Sequence, residues 1–385
     1  MAYQVYGLGE VPVGVKVGLV GLGQFGSSFV SLFANHPLVD QLVLCDVRGE
    51  RVAELLSRHG LDRGSGSLDA LLASDVDAVA LFTQPWWHAG QALACLAAGK
   101  HVYSAVPPVY RADGDGDKVL AVCDALVRAV KHTGLVYMLG ETTIYRAETV
   151  YCRQRAAAGD FGEIVYGECE YWHDIDSPGC SLRSVARNRW GESWSERLGG
   201  GVPMHYPTHS VSSMVSIMGA RVLKVSALGF ACSEEDWYTS QTVSGNRFGD
   251  QVALAAMSNG ATVRHMEFRR IGHPGREGMR VIGTNGCFLD DVGGAKWTTV
   301  EGWERVDLRE ARPDLPVALM ADLGGHGGSH AYLVNEFVGS CHQGRTPAIS
   351  VWDAVRYLAP GIVAHMSSLR EGEWLDVPDW GDPPR

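Results

Sequence analysis

The stretch GGGVPMHYPTHSVSSM (199–214) carries three side chains able to move protons, His205, Tyr206 and His209. Two histidines four apart can serve as metal ligands, as acid–base groups or as packed core residues. Pro207 is tolerated at the first position of a helix and not deeper. The spacing therefore predicts a helix that starts near Pro207 and is stopped by Gly219. His205 then precedes the helix and His209 lies in its first turn, so the two do not share a regular helical face. No glutamate adjoins the first histidine, as a zinc-protease motif would require, and no metal is expected. Acid–base work and core packing remain.

Acid–base chemistry needs something to act with, and the segment GLVGLGQFGSSFV supplies a candidate. Gly21-x-Gly23-x-x-Gly26 follows an apolar run and opens a helical pattern. The first glycine suits a tight turn, the second a close approach to a pyrophosphate, the third helix–strand packing. Asp46 ends the next apolar run, where a carboxylate binds ribose hydroxyls. Its charge favours NAD over NADP, with Arg48 close by. The expected cofactor set is Gly21, Gly23, Gln24, Phe25, Gly26 and Asp46, with Thr83, Pro85, His88 and Pro107 at later strand ends. Trp86 and Trp87 follow one of those ends; Trp86 or Trp87, the latter first, reads as a wall of a substrate pocket, with a core or interface role as the alternative. The earlier Gly7-Leu-Gly9 has no strand before it and reads as a loop.

These residues need a scaffold. Short apolar runs at 15–20, 41–46, 78–83, 101–104 and 135–139 alternate with helical patterns, which predicts a parallel sheet with right-handed crossovers. After residue 160 longer alternating runs appear, with Asn259-Gly260 and Asn285-Gly286 as hairpin turns. The reading is α/β: an NAD-binding Rossmann domain over 1–140, then an α+β domain over 141–385 with a large, mostly antiparallel open sheet. Residues 329–371 return to helical spacing and are free to pack back on the first domain. The closing DVPDWGDPPR reads as a loosely held tail.

Composition excludes other classes. The 385 residues carry a formal net charge of −11, so neither nucleic acid nor an anionic membrane is an expected partner. No apolar run approaches a membrane span, and MAYQVYGLGEVPVG lacks the pattern of a secretory signal. Nine scattered cysteines without a C-x-x-C spacing suit a reducing, cytoplasmic setting.

The glycine fingerprint with Asp46, the AVALFTQPWWH and AGKHVYSAVP segments, the GGG…H stretch and NEFVGSCHQGRTP together resemble the Gfo/Idh/MocA oxidoreductase family over nearly the whole chain. That resemblance implies a Rossmann domain followed by an α/β domain whose open sheet carries the substrate site on one face. It also implies homo-oligomers through the other face. The family's dehydrogenases usually place Glu-Lys-Pro after AGKHV; this chain has Ala105-Val106-Pro107. They usually place Asp four residues before the histidine; this chain has His205. YPTH with Tyr206 and His209, Glu141 with Tyr145 in ETTIYR, Tyr171, His173 and Asp174 in CEYWHD, and GHGG at 325–328 resemble instead the NAD-dependent glycosidases of glycoside hydrolase family 109.

That branch implies hydrolysis through transient oxidation at C3 of a sugar, deprotonation at C2, loss of the aglycone and re-reduction, without net redox change. His209 is expected to handle the C3 hydroxyl proton. Tyr206 is expected to abstract the C2 proton or polarise the ketone, with His205 as a substitute base. Glu141, Tyr145, Tyr171, His173 and Trp87 form the expected substrate set, for a small carbohydrate or glycoside. A sugar or cyclitol dehydrogenase and a non-catalytic NAD-binding sensor are the alternatives. The packing readings stand beside these: Tyr145 and Tyr171 as core, Asp174 and Asp176 as solvated loop carboxylates. The long 174–198 segment reads as a cover over the substrate or a reach to a neighbouring subunit, and the Gly-rich loop with His326 and His330 as a flexible active-site segment or a helix-start turn.

Overall fold

The structure, a computed structural model, describes residues 14–383 except 180, 233–236, 292 and 309–310. The Gly7–Gly9 pair and the rest of the N-terminal stretch lie outside the described residues. Six parallel strands form the first sheet: β1 (Val15–Val20), β2 (Val39–Cys45), β3 (Gly64–Ser65), β4 (Ala78–Leu81), β5 (His101–Ser104) and β6 (Tyr137–Leu139). Their order is β3-β2-β1-β4-β5-β6. All four residues of β4 are buried, which is why its run is continuously apolar and not alternating. The two-residue β3 escapes sequence reading, because it is too short to carry a period.

The strand order reverses between β1 and β4. The loops after these two strands therefore flank the crevice where open α/β sheets bind ligands. Both carry predicted site residues: the glycine loop follows β1, and Thr83–His88 follows β4.

Nine strands form the second sheet: β7 (Ile164–Trp172), β8 (Val222–Ala231), β9 (Phe248–Met257), β10 (Thr262–Phe268), β11 (Arg276–Gly283), β12 (Cys287–Asp291), β13 (Gly294–Thr299), β14 (Gly302–Arg305) and β15 (Leu375–Asp376). Their order is β14-β13-β12-β11-β7-β10-β9-β8-β15, with β7 and β10 parallel and the other pairs antiparallel. The two Asn-Gly turns join β9 to β10 and β11 to β12, as their alternating flanks require.

The helix predicted at Pro207 spans Thr208–Met218, with Gly219 in the left-handed conformation at its end. It lies on the inner face of the second sheet. Gly167 on β7 has no Cβ, which leaves room for the Met214 and Met218 side chains. The second half of the helix packs closest at this glycine, and at its other end the His209 ring meets Tyr171 of β7 with centroids 5.2 Å apart.

Helices Gly325–Gln343 and Val351–Ser368 return to the first domain. The Leu139 N–H donates to the Ile349 carbonyl at 3.0 Å, and Gly116 sits against Ile362 and Met366. The end of the chain is held where a loose tail is expected. β15 pairs with β8, the Trp380 indole donates to Asp124, and Arg356 bonds Asp382 at 2.7 Å. Among the described residues no helix is long and apolar enough to cross a membrane.

Candidate active site

The glycine loop has the geometry its sequence predicts. Gly21 adopts φ +92°, and a Cβ there or on Gly26 would collide with backbone. A Cβ on Gly23 would meet nothing closer than Arg51 Nη1 at 3.8 Å, so this face of the loop is open. The Asp46 carboxylate fixes the loop from the end of β2, accepting from the Leu22 N–H at 2.8 Å and the Arg48 N–H at 2.9 Å. A cleft of about 220 Å³ lies beside Leu22, Gly23, Gln24 and Arg51. An open glycine cradle with a carboxylate one strand away fits a dinucleotide.

Past β4, Thr83 and Pro85 open the next helix and His88 ties it down. The His88 ring nitrogens lie 2.9 Å from the Thr83 and Pro107 carbonyls. Burial lowers the His88 pKa while the two carbonyls oppose it; a neutral ring donates to one of them, and only the imidazolium donates to both.

The second group converges on His209. Its Nδ1 lies 2.9 Å from Glu141 Oε1, which also accepts from the Thr143 N–H at 2.9 Å. Glu141 is fully buried behind the imidazole. Burial alone would lower the His209 pKa; the Glu141 charge and hydrogen bond outweigh it and raise the group above its ordinary value. For Glu141 burial opposes ionisation, while the His209 charge and hydrogen bond and the Thr143 N–H hold the carboxyl well below its usual range. With Nδ1 on the carboxylate, Nε2 is the nitrogen left for the crevice.

Tyr206 and Tyr171 flank that imidazole, with ring centroids 5.3 and 5.2 Å from it. Tyr171 Oη lies 3.1 Å from His173 Nδ1. Burial pushes the Tyr206 phenol up to about 12, with Arg189 opposing, and moves Tyr171 up as well. Both are phenols at neutral pH, donors and not phenolate bases.

A second histidine pair faces His209. His326, at φ 51° in the Gly-rich loop, stacks 6.3 Å from the His209 ring. The Gly325 N–H donates to His330 Nδ1 at 3.1 Å, and His330 Nε2 lies 2.9 Å from His326 Nδ1. The backbone amide thus fixes both tautomers: neutral His330 donates through Nε2, and neutral His326 carries its proton on Nε2. Burial first, with neighbouring positive charge, lowers His326 to about 4 and His330 to about 3. Phe25 of the glycine loop meets both rings edge-on, at 6.0 and 5.4 Å, so the histidine loop abuts the cofactor side.

Other predicted residues stand apart. His205 ends a 3-10 turn, Pro203–His205, and packs against His365 with ring centroids 5.3 Å apart. Burial and His365 hold it well below its ordinary pKa, and neither ring nitrogen has a partner among the described residues. Tyr145 is buried and stacked on Tyr332 at 5.8 Å, Asp174 caps backbone at Asp176 and Ile271, and Trp87 is 55% exposed. Among the described residues no group of three or more His, Cys, Asp or Glu is arranged to hold a metal.

The register supplies residues that the motifs miss. Glu267 on β10 and Glu277 on β11 both lie opposite Tyr171 on β7, so three polar side chains share the inner face of the sheet. Glu267 Oε2 pairs with Arg269 at 2.7 Å, and its Oε1 accepts from Ser210 Oγ at 2.6 Å beside His265. Arg269 bonds the Tyr171 carbonyl at 2.9 Å and lies 4.6 Å over its ring. Glu277 pairs with Arg146 at 2.6 Å. The signal was available: in ATVRHMEFRR, Glu267 falls on the same alternating face as Val263, and an inward carboxylate is the informative exception.

Residues 15–141 match the oxidoreductase family described by its NAD-binding Rossmann fold, and residues 149–289 match the GFO/IDH/MocA C-terminal domain. A glycosyl hydrolase family 109 protein of Streptomyces niveus is 25% identical, over 95% of this chain and 77% of its own. An alpha-N-acetylgalactosaminidase of Tannerella forsythia is 22% identical, over 82% of this chain and 74% of its own. The structure of levoglucosan dehydrogenase in complex with NADH and levoglucosan superposes with a TM-score of 0.76 at 18% identity, covering 95% of this chain and 99% of that one. With both domains matched and the glycine cradle formed as NAD requires, the chain is an NAD-binding enzyme of the Gfo/Idh/MocA oxidoreductase family.

Proposed function

We propose that this enzyme is an NAD-dependent glycosidase, acting on a small carbohydrate glycoside with no net redox change. The observation that carries the reading is the Glu141–His209 pair beside two neutral phenols. Ordinary glycoside hydrolysis takes two carboxylates flanking the scissile bond. Here Glu141 is committed to His209, Glu277 to Arg146 and Glu267 to Arg269. The family 109 names among relatives that span most of the chain support the same reading.

NAD+ bound in the cradle supplies hydride abstraction from a sugar carbon and return of that hydride at the end of the cycle. His209 Nε2 accepts the proton of the C3 hydroxyl, with Glu141 stabilising the imidazolium. Tyr206 donates to the C3 oxygen, which acidifies the neighbouring C2–H; that proton passes to solvent water, the C1–O bond breaks with the aglycone taking its electrons and a solvent proton, and water then adds across C1–C2, hydroxyl to C1 and proton to C2. His326, held as an Nε2–H donor, is placed to hydrogen-bond an oxygen of the substrate. Each positioned group contributes about 10²–10⁴-fold.

The test follows two signals on purified holoenzyme given aryl α- and β-glycosides. Aglycone release without net absorbance change at 340 nm supports the proposal. NADH accumulating in step with oxidation of a free sugar or cyclitol, and no aglycone release, replaces it with the dehydrogenase reading.

We infer also that the outer face of the second sheet pairs copies of the chain. Leu228, Phe230 and Leu254 are 64%, 67% and 45% exposed there, a concentration of apolar surface that monomers rarely leave open. Light scattering that gives the mass of one chain at micromolar concentration would refute this. A reducing cytoplasm suits the buried thiols of the first domain, Cys45, Cys95 and Cys123.

A further inference from the structure

The helices Leu182–Trp190 and Glu192–Leu198, contributed by the second domain, lie across the first. They touch the loops after both strands that flank the switch point. On the β4 side, Trp86 packs against Trp190 at 5.9 Å and stacks on Trp194 at 6.1 Å. On the β1 side, the Arg189 guanidinium lies 5.9 Å over the ring of Phe25, inside the glycine loop. A small separate core of Ile175, Ala186, Trp237 and Tyr238 anchors the cap from behind. Arg189 itself is exposed, and among the described residues it has no hydrogen bond or carboxylate partner. Its charge reaches Tyr206 and His326, both at the crevice.

A guanidinium with no acid beside it, held over the loop that cradles phosphates, is placed for an anion. In this fold the diphosphate of a dinucleotide crosses between the β1 and β4 loops, beneath the cap. We propose that Arg189 is a cofactor-binding residue: its guanidinium pairs with the diphosphate of bound NAD(H), and the Trp86–Trp190–Trp194 cluster keeps the cap closed over it. A planar fork suits the two phosphoryl groups. The consequence is retention of the nucleotide between turnovers, by an element of the other domain.

The experiment uses the full chain, stripped of nucleotide and reloaded with NADH, whose fluorescence reports its release. Arg189→Ala should release NADH about 10- to 100-fold faster, and Arg189→Lys should fall between it and the parent. ADP, which carries the diphosphate without nicotinamide, should weaken as a competitor by a similar factor, while adenosine should not change. The salt dependence of release should flatten in Arg189→Ala. Trp194→Ala, which loosens the cap and leaves the guanidinium intact, should also speed release. Unchanged NADH release in Arg189→Ala overturns the proposal. So does a loss confined to substrate KM, which assigns the cation to an anionic substrate instead. None of these readouts depends on the glycosidase reading, so the two stand or fall separately.

Discussion

Two pairs of side chains face each other across the crevice, and both present an imidazole. His209 is backed by a buried carboxylate and its pKa is raised; His326 is backed by neutral His330 and a backbone amide, and its pKa is lowered. Burial acts in the same direction on both. The partner decides the outcome: an anion at 2.9 Å outweighs desolvation, and a neutral nitrogen at 2.9 Å does not. One wall of the crevice is thereby suited to accept a proton, the other to donate a hydrogen bond.

The comparison breaks most visibly at His209. His209→Asn removes the base and should cut turnover of an active glycoside about 10³-fold, with NADH binding by fluorescence titration unchanged. Glu141→Gln tests the cause. His209 must be neutral to accept a proton, so the acidic limb of kcat/KM should lie above pH 6.5 in the parent enzyme. Without the carboxylate the limb should move to lower pH and the plateau should drop about 10²-fold, as a pH–rate profile will report. A limb that stays in place would remove Glu141 from this role. His330→Phe keeps the stack on Phe29 and removes the bond to His326. Loss of one neutral hydrogen bond predicts a fall of about tenfold, with the acidic limb unmoved.

The smallest effect is on stability. Burial depresses His330 to about 3 and His365 to about 4, below their unfolded value of 6.5. A base depressed on folding binds protons more readily unfolded. Its contribution is therefore full above pH 6.5 and is lost as pH falls toward the folded values. Differential scanning fluorimetry should show Tm falling from pH 6.5 to about 4, with a flatter slope in His365→Phe. A Tm constant over this window would contradict the assigned protonation states.

The first domain was largely legible because its signals are local. A strand, a glycine turn and a carboxylate lie within one stretch of chain, and each glycine answers a nearby steric demand. The helix after Pro207 was legible for the same reason. The crevice was legible only in outline. The sequence separates His205 from His209 but not their surroundings: the 3-10 turn before the helix sends the first toward His365, while the second meets Glu141. Glu141 reads as a substrate ligand, and only the fold reveals it behind the imidazole. Arg189 over Phe25 joins residues more than 160 positions apart, which no periodicity encodes. The C-terminal segment read as a loosely held tail from its position alone, while Trp380 and Asp382 are held by Asp124 and Arg356 across 26 or more residues of sequence.

The central claim is bond cleavage that borrows a hydride and gives it back. The direct measurement is turnover of an aryl glycoside in deuterated water, with the released sugar analysed by NMR or mass spectrometry. The account predicts one solvent deuterium at C2 and no net NADH. A released sugar with hydrogen intact at C2, or NADH formed in proportion to product, would contradict it.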